Sequence, residues 1–248
     1  MKALATYNIK GGVGKTAAAV NLACLAAWEG RRTLLWDLDP QGAASYLLGV
    51  RPHVKGGGKA LVEGRRPLER VIKGTDFDRL DLAPADFTYR NLDLVLDAAK
   101  KPTQRIARLL ATVSGDYDVV ILDCPPGMSL VSENVLHAVD VLLVPLIPTT
   151  LSVRTLEQLT EFVADLDRPP ALFPFFSMVD GRKRLHREVI DRLRAERDDL
   201  ATTVIPALSL VEQMAVRRAP LPVFAPHSQV TGRYEKLWAE VLKAASSR

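Results

Sequence analysis

Short apolar segments alternate along this chain with longer segments in which apolar residues recur at helical spacing. The apolar segments predict strands at 3–7, 33–36, 80–83, 119–123, 139–147, 172–179 and 203–206. The longer segments predict helices at 17–29, 87–99, 102–113, 151–166, 210–218 and 229–245, with a further charged helix that ends near Arg197. Strands that alternate with helices predict an α/β fold, with a mostly parallel, doubly wound sheet covered by helices on both faces. We find no dividing linker and expect one domain over residues 1–248, with residues 51–66 as an exposed, glycine-rich loop.

The strongest chemical motif is the stretch Lys10-Gly11-Gly12-Val13-Gly14-Lys15-Thr16, which lies between the first strand and the first helix. Glycines at such a turn let backbone N–H groups converge on a phosphate, and the helix N-terminus favours an anion there. Lys15 is then expected to reach the β- and γ-phosphates, and the Thr16 hydroxyl to bind Mg²⁺. The usual motif has a glycine where this chain has Ile9, and an additional lysine, Lys10, precedes the glycine pair.

Three aspartates follow predicted strands beside this loop. Asp37 and Asp39 come directly after the second strand, and Asp123 ends the most apolar strand of the chain. Carboxyl ends of parallel strands meet at one edge of a sheet, where ligands bind. Asp123 is therefore predicted to hold Mg²⁺, usually through water, and the stiff segment 124–127 is placed to sense a γ-phosphate.

Net charge, cysteine content and the length of the apolar runs limit the classes of protein to which this chain could belong. The net charge of +4 is compatible with nucleic acid but is weak evidence alone. Two distant cysteines, Cys24 and Cys124, suggest neither a disulfide framework nor a zinc site. No apolar run approaches the length of a membrane span, and the chain enters its first strand without a signal peptide, so we expect a cytosolic protein.

The loop, the segment Asp-Leu-Asp-Pro-Gln-Gly at 37–42 and the segment Asp-Cys-Pro-Pro-Gly at 123–127 resemble those of the ParA/MinD family of deviant Walker-type P-loop ATPases. The resemblance covers essentially the whole chain and is greatest to ParA partition ATPases. It implies ATP and Mg²⁺ as cofactors and a homodimer that sandwiches ATP. The loop residues Gly11, Gly12, Val13, Gly14, Lys15, Thr16 and Ala17 would contact the nucleotide, and the segment that begins at Pro222 would lie near the adenine.

The resemblance also implies roles in slow ATP hydrolysis. Lys10 would reach across the dimer to the partner's ATP and neutralise charge on its phosphates. Asp39 would orient the attacking water, while Asp37 would support the Mg²⁺ shell. Two departures are visible: Ala17 stands where relatives have a hydroxyl that touches the α-phosphate, and Ala207 and Leu208 stand where many have a DNA-facing arginine.

Basic residues form a candidate DNA surface, because this region faces DNA in ParA-like proteins. They are Arg182, Lys183, Arg184, Arg187, Arg217 and Arg218. Acidic residues follow closely, so an ordinary solvated helix face is the alternative interpretation. We expect His186 to be a neighbour of phosphate or solvent, and Trp28, Trp36 and Trp238 to pack in the core or between helices.

The resemblance implies a nucleoid-associated ATPase that binds double-stranded DNA without sequence preference and is stimulated by a ParB-like or cargo-adaptor protein. It would position DNA or protein cargo. A MinD-like membrane ATPase is the main alternative, but the last helix lacks a dense basic face. An iron–sulfur reductase would need cysteines that could hold a cluster between subunits, and neither cysteine suits that role.

Overall fold

The computed structural model describes residues 1–246. Eight strands form one sheet, in the order β3-β4-β2-β5-β1-β6-β7-β8. The strands are β1 Lys2–Thr6, β2 Thr33–Asp37, β3 Lys73–Gly74, β4 Leu80–Ala83, β5 Val119–Asp123, β6 Val141–Leu146, β7 Ala171–Val179 and β8 Val204–Pro206. All neighbouring strands are parallel except the short edge strand β3, which runs antiparallel to β4. The predicted mostly parallel sheet is confirmed.

Helices cover both faces of the sheet. They are α1 Lys15–Trp28, α2 Ala43–Leu47, α3 Gly57–Val62, α4 Leu92–Asp97, α5 Arg105–Thr112, α6 Leu130–Leu136, α7 Thr150–Ala164, α8 Arg184–Glu196, α9 Ser209–Arg217, α10 Leu221–Phe224 and α11 Gln229–Ser246. Side chains of a strand alternate between faces, so Leu34 and Trp36 join one buried cluster and Leu35 the other. The first cluster packs against α3–α8 and the second against α1, α2 and α9–α11.

The strand order places β1 at the centre of the sheet, between β5 and β6. The connection from β1 leads to β2 on one side of the sheet, and the connection from β5 crosses β1 to reach β6 on the other side. Open α/β sheets bind ligands where the strand order reverses in this way. The register sets Thr6 beside Asp123, and Asp37 beside Asp123 on the other side. The three predicted phosphate and metal segments therefore meet at one edge.

The prediction of an exposed loop at residues 51–66 is wrong in its centre. Gly56 has φ 87°, a left-handed conformation that starts α3, and Leu61 and Val62 of that helix are buried. Contacts with distant segments order this helix, and no pattern in the local sequence predicts them. Three further helices, α2, α6 and α10, were not predicted, although Ser129 and Ser132 form a capping box at the start of α6.

Other differences are smaller. The helix predicted at 87–99 divides into a 3₁₀ segment, Phe87–Asn91, and α4, and the one predicted at 102–113 begins as the 3₁₀ segment Pro102–Gln104. Trp36 and Trp238 are buried as expected, whereas Trp28, at the end of α1, is 54% exposed and is not a core residue.

Gly58→Ala tests the packing of α3. A Cβ atom at this position would lie 2.8 Å from Leu92 Cδ1 and 2.8 Å from Tyr89 Cδ1, and both neighbours are buried. We expect a loss of about 1–2 kcal/mol in the free energy of unfolding, measured by urea denaturation. Gly232→Ala in α11 is the control, because its Cβ meets no atom within 4 Å, and it should stabilise by up to about 1 kcal/mol. Equal stability of the two variants would contradict this packing.

Candidate functional site

The phosphate loop joins the end of β1 to the start of α1. Gly12 and Gly14 have φ values of 71° and 92°, which non-glycine residues rarely adopt. A Cβ on Gly14 would lie 2.7 Å from the buried Ser177 Oγ of β7, so a side chain has no room there. The loop backbone is thus shaped to turn its N–H groups toward an anion at the N-terminus of α1.

Lys15 is a buried cation that forms no ion pair with a carboxylate of residues 1–246. Its side chain is only 7% exposed, and its Nζ donates to the backbone oxygens of Lys10 at 3.0 Å and Asn8 at 3.5 Å. Burial lowers the pKa of Lys15, while the nearby Asp123 opposes that shift. A buried ammonium held by two carbonyl oxygens is a favourable position for a phosphate to bind.

Asn8 fixes the first part of the loop and was not recognised from the sequence. Its Nδ2 donates to the Pro145 oxygen of β6 at 2.8 Å, and its Oδ1 accepts from the Lys10 N–H at 2.8 Å. These bonds hold the Lys10 backbone against β6. The Lys10 side chain makes no ion pair within residues 1–246, so its charge remains free for another group.

Asp123 is a fully buried carboxyl group that is only half satisfied. Its Oδ1 accepts from the Thr6 hydroxyl at 3.2 Å, whereas its Oδ2 has no hydrogen-bond partner in the described chain. Burial and the neighbouring Asp37 raise the pKa of Asp123 to about 8, and the Thr16 side chain opposes that shift. An unsatisfied buried oxygen next to Thr16 fits a water molecule of a hydrated Mg²⁺.

Asp37 is largely committed to protein contacts. Its Oδ2 accepts from the Ser45 N–H at 2.8 Å and from the Ser45 hydroxyl at 2.7 Å, and its Oδ1 accepts from the Asp39 N–H at 3.3 Å. Burial raises the pKa of Asp37 to about 6. The Ser45 hydroxyl also accepts from the Ala85 N–H at 2.9 Å. Asp37 therefore anchors α2. If Asp37 supports the Mg²⁺ shell, it would do so while it keeps its hydrogen bonds to Ser45.

Asp39 lies in the turn between β2 and α2. Its Oδ1 accepts from the Gln41 N–H at 2.9 Å, and its side chain stays partly exposed at the edge of the site. This carboxylate is the most accessible of the three and suits a role toward a water molecule.

The segment after Asp123 is bonded to the phosphate loop. The buried Tyr7 hydroxyl donates to the Gly127 oxygen at 2.9 Å, and the Gly127 N–H donates to the Ile9 oxygen at 2.9 Å. Gly127 has φ 96°, which permits this double contact. These two hydrogen bonds couple the movement of the segment 124–127 to that of the phosphate loop. The sequence did not indicate this role of Tyr7.

A cavity of about 230 Å³ lies beside Gly14 and Ala17 of the phosphate loop. It is lined by Gly14, Ala17, Ser177, Met178, Ile205, Pro206, Ala207, Leu208, Ser209, Val211, Glu212 and Tyr234. Pro222, expected near the adenine, is buried in α10 and does not line this cavity. The contact of Pro222 with the adenine therefore stays a prediction.

The predicted DNA residues are exposed but partly paired. Arg182 bonds Asp180 at 3.0 Å and lowers the pKa of that carboxyl to about 2, and Arg184 bonds Glu188 at 2.6 Å. Arg187 donates to the Gly181 oxygen at 3.0 Å. Lys183 and Arg217 are exposed. Arg218 bonds the Tyr46 oxygen at 3.2 Å, so it contacts α2.

The expectation for His186 is wrong. Its side chain is 5% exposed, and its Nδ1 accepts from the Asp180 N–H at 3.1 Å. Burial lowers the pKa of His186. The imidazole thus supports the turn between β7 and α8 from inside.

No group of three or more His, Cys, Asp or Glu side chains within residues 1–246 is arranged to hold a metal ion. Magnesium sites with one or two carboxylates usually take their other ligands from water and substrate phosphates. Thr16 and Asp123 fit such a site.

Comparison with known proteins points to one family. A family model described as an AAA domain matches residues 1–170. The chain is 31% identical over 250 residues to the sporulation initiation inhibitor protein Soj of Bacillus subtilis, covering 97% of this chain and 98% of that protein. It is 30% identical over 260 residues to the chromosome partitioning protein ParA of Caulobacter vibrioides, covering 100% and 96% respectively.

Solved structures show the same fold. Cobyrinic acid a,c-diamide synthase from Mycobacterium smegmatis, crystallised with an ATP analog and magnesium, has a TM-score of 0.85 at 26% identity and covers 98% of this chain and 94% of its own. A putative plasmid partition protein from Borrelia burgdorferi bound to AMPPNP has a TM-score of 0.86 at 23% identity, with 98% of both chains covered.

Asp123→Asn tests the buried carboxyl group. Because its pKa is raised from 3.8 to about 8 in the folded protein, the folded state binds this proton more tightly than the unfolded chain, so ionisation costs stability as the pH rises. We expect the variant to stabilise the nucleotide-free protein by about 1–3 kcal/mol at about pH 9, with a smaller gain at about pH 5. Urea denaturation at both pH values measures this. A pH-independent or negative difference would contradict the assignment.

Proposed function

The chain belongs to the ParA family of P-loop ATPases, and from that premise we propose that ATP drives it into a face-to-face homodimer that binds DNA without sequence preference. Hydrolysis, stimulated by a partner protein, then releases it. The observation that carries the proposal is the pair of lysines on one loop: Lys15 is buried at the phosphate position, while Lys10 keeps a free charge beside it.

The distribution of exposed apolar side chains supports a dimer at the phosphate edge. Seven large apolar residues that are at least 40% exposed lie in the last two residues of a strand or within nine residues after its carboxyl end. They are Tyr46, Phe87, Met128, Leu151, Met178, Leu185 and Leu208. Apolar groups around one edge are typical of an interaction surface. A second copy on this edge would bring its own Lys10 to the first copy's nucleotide.

Each residue has a distinct role in this proposal. Lys15 and the loop N–H groups bind the β- and γ-phosphates, while Thr16 and Asp123 hold Mg²⁺, which would neutralise phosphate charge when bound. Asp39 orients the water for attack, and Lys10 of the second copy stabilises the developing negative charge. Since none of the described site residues is an evident strong base, positioning and electrostatics carry the reaction and intrinsic turnover is slow.

DNA binding is proposed for the exposed basic residues at the start of α8 and at the end of α9. Lys183, Arg187 and Arg217 would contact phosphates, together with Arg182 and Arg184 once their acidic partners are displaced. Such contacts release counterions and carry no sequence information. The dimer would thus associate with the nucleoid, and a ParB-like protein or cargo adaptor would activate it.

The last helix favours this function over a membrane-bound alternative. Leu237, Trp238 and Val241 of α11 are buried against the sheet and α1, so its apolar face is already used. Within residues 1–246, no helix is long and apolar enough to cross a membrane. The buried apolar face of α11 is the observation that favours the DNA-binding function over a MinD-like membrane ATPase.

Asp39→Ala tests the ATP-dependent dimer. Without the residue that orients water, the bound ATP persists, and light scattering with Mg²⁺ and ATP should report about twice the 27.2 kDa of one chain. The same variant with ADP, and Lys15→Ala with ATP, are the controls and should remain monomeric. A monomer under saturating ATP would refute the dimer.

A titration of double-stranded DNA with ATP present tests the second half of the proposal. If several phosphates are neutralised, affinity should fall by about tenfold or more between about 50 mM and 200 mM salt. The double variant Lys183→Ala/Arg187→Ala should weaken binding to all sequences alike. Arg192→Ala, on the same helix but paired with Glu196, is the matched control. Absence of binding at the lower salt concentration would remove DNA from the function.

A further inference from the structure

A second cavity adjoins the start of α1 at Thr16. Its volume is about 720 Å³, and it lies between α2, the segment that follows α2, and the end of α9. Its lining includes Thr16, Gln41, Gly42, Tyr46, Arg51 and Arg218. The Thr16 side chain connects it directly to the proposed metal and phosphate position.

Arg218 is held in this cavity by contacts with α2. Its Nε donates to the Tyr46 oxygen at 3.2 Å, and its guanidinium carbon lies 4.9 Å from the centre of the Tyr46 ring. Its backbone has φ 50°, a left-handed conformation that costs a non-glycine residue about 1 kcal/mol. The chain thus keeps an arginine where backbone geometry favours glycine.

The remaining hydrogen-bonding groups of Arg218 are unused. Its recorded contacts occupy Nε and the flat face of the guanidinium, and no partner for either terminal NH₂ group is found in the described part of the chain. The fork that these groups form matches the geometry of a phosphate.

The positive charge of the residues that line the cavity favours an anionic ligand. Arg51 and Arg218 both line the cavity, and no aspartate or glutamate does. A positively charged cavity that borders Thr16 attracts an anion. The anion expected closest to it is a phosphate group bound at the adjacent phosphate loop.

We propose that this cavity binds a phosphate group through Arg218, either free phosphate or a phosphate of the bound nucleotide. The assignment deepens the proposed ATPase site, on which it rests, and removes Arg218 from the predicted DNA surface. Arg217, its exposed neighbour on the end of α9, keeps that role. The two adjacent arginines would then serve different ligands.

The experiment is an NMR titration of the nucleotide-free protein with inorganic phosphate, followed through backbone amides. Gly42 and Gly49 report on the cavity, and Gly12 and Gly14 report separately on the phosphate loop. We expect Arg218→Ala to weaken the phosphate response of Gly42 and Gly49 by about tenfold. Arg217→Ala is the matched control and should change it less than about twofold.

A parallel titration with ADP distinguishes the two sources. Weaker ADP binding in Arg218→Ala assigns the cavity to a nucleotide phosphate, whereas a loss confined to inorganic phosphate assigns it to the free ion. Unchanged binding of both ligands would overturn the proposal, as would equal losses in Arg217→Ala.

A measurement of DNA affinity for the same two variants should give the reverse order of effects. Arg217→Ala should lower DNA affinity, and Arg218→Ala should not; a loss of DNA affinity in Arg218→Ala without any effect on phosphate would also overturn the assignment. If the wild-type protein binds no DNA at all, the DNA function fails, while the phosphate titration still decides the role of Arg218.

Discussion

A buried ammonium group, Lys15, and a buried carboxyl group, Asp123, lie at the centre of the sheet edge, and the described residues do not satisfy either of them completely. Lys15 rests on backbone oxygens, and one oxygen of Asp123 has no hydrogen-bond partner in the described chain. Buried charges are costly unless they are paired. A triphosphate with its magnesium would complete both groups at once. The fold positions these two side chains, because Lys15 begins α1 directly after the loop that follows β1, and Asp123 ends β5, the strand beside β1.

The elements that surround this pair connect the nucleotide position to more distant surfaces. Asp37 anchors α2 through Ser45, and the next residue, Tyr46, holds Arg218 of the α9 terminus. On the other side, Tyr7 and Ile9 hold Gly127 against the phosphate loop. Each connection joins a residue beside the phosphates to a segment on the exposed edge. Binding or release of a phosphate would therefore change the positions of α2 and of residues 124–127 first.

The sequence predicts those features whose physical cause is local. The glycine loop, the apolar strand that ends in Asp123 and most other strands follow from short patterns, and the structure contains them at nearly the predicted bounds. Contacts between distant segments have no such pattern. Asn8 with Pro145, Ser45 with Ala85, and Arg218 with Tyr46 arise only when the sheet order is known. The same reason explains why α3 was mistaken for a loop and His186 for an exposed residue.

The central claim is that Lys10 acts on the nucleotide of a second copy, and a mixture of two inactive variants tests it most directly. Lys10→Ala and Asp39→Ala are combined before ATP is added, and steady-state ATP hydrolysis is measured with each variant alone as the control. A lysine that acts across the dimer gives mixed dimers one intact site, so activity should recover to about a quarter of the wild-type rate in an equal mixture. A lysine that acts within its own subunit leaves every site defective, and a mixture as inactive as its components would contradict the account.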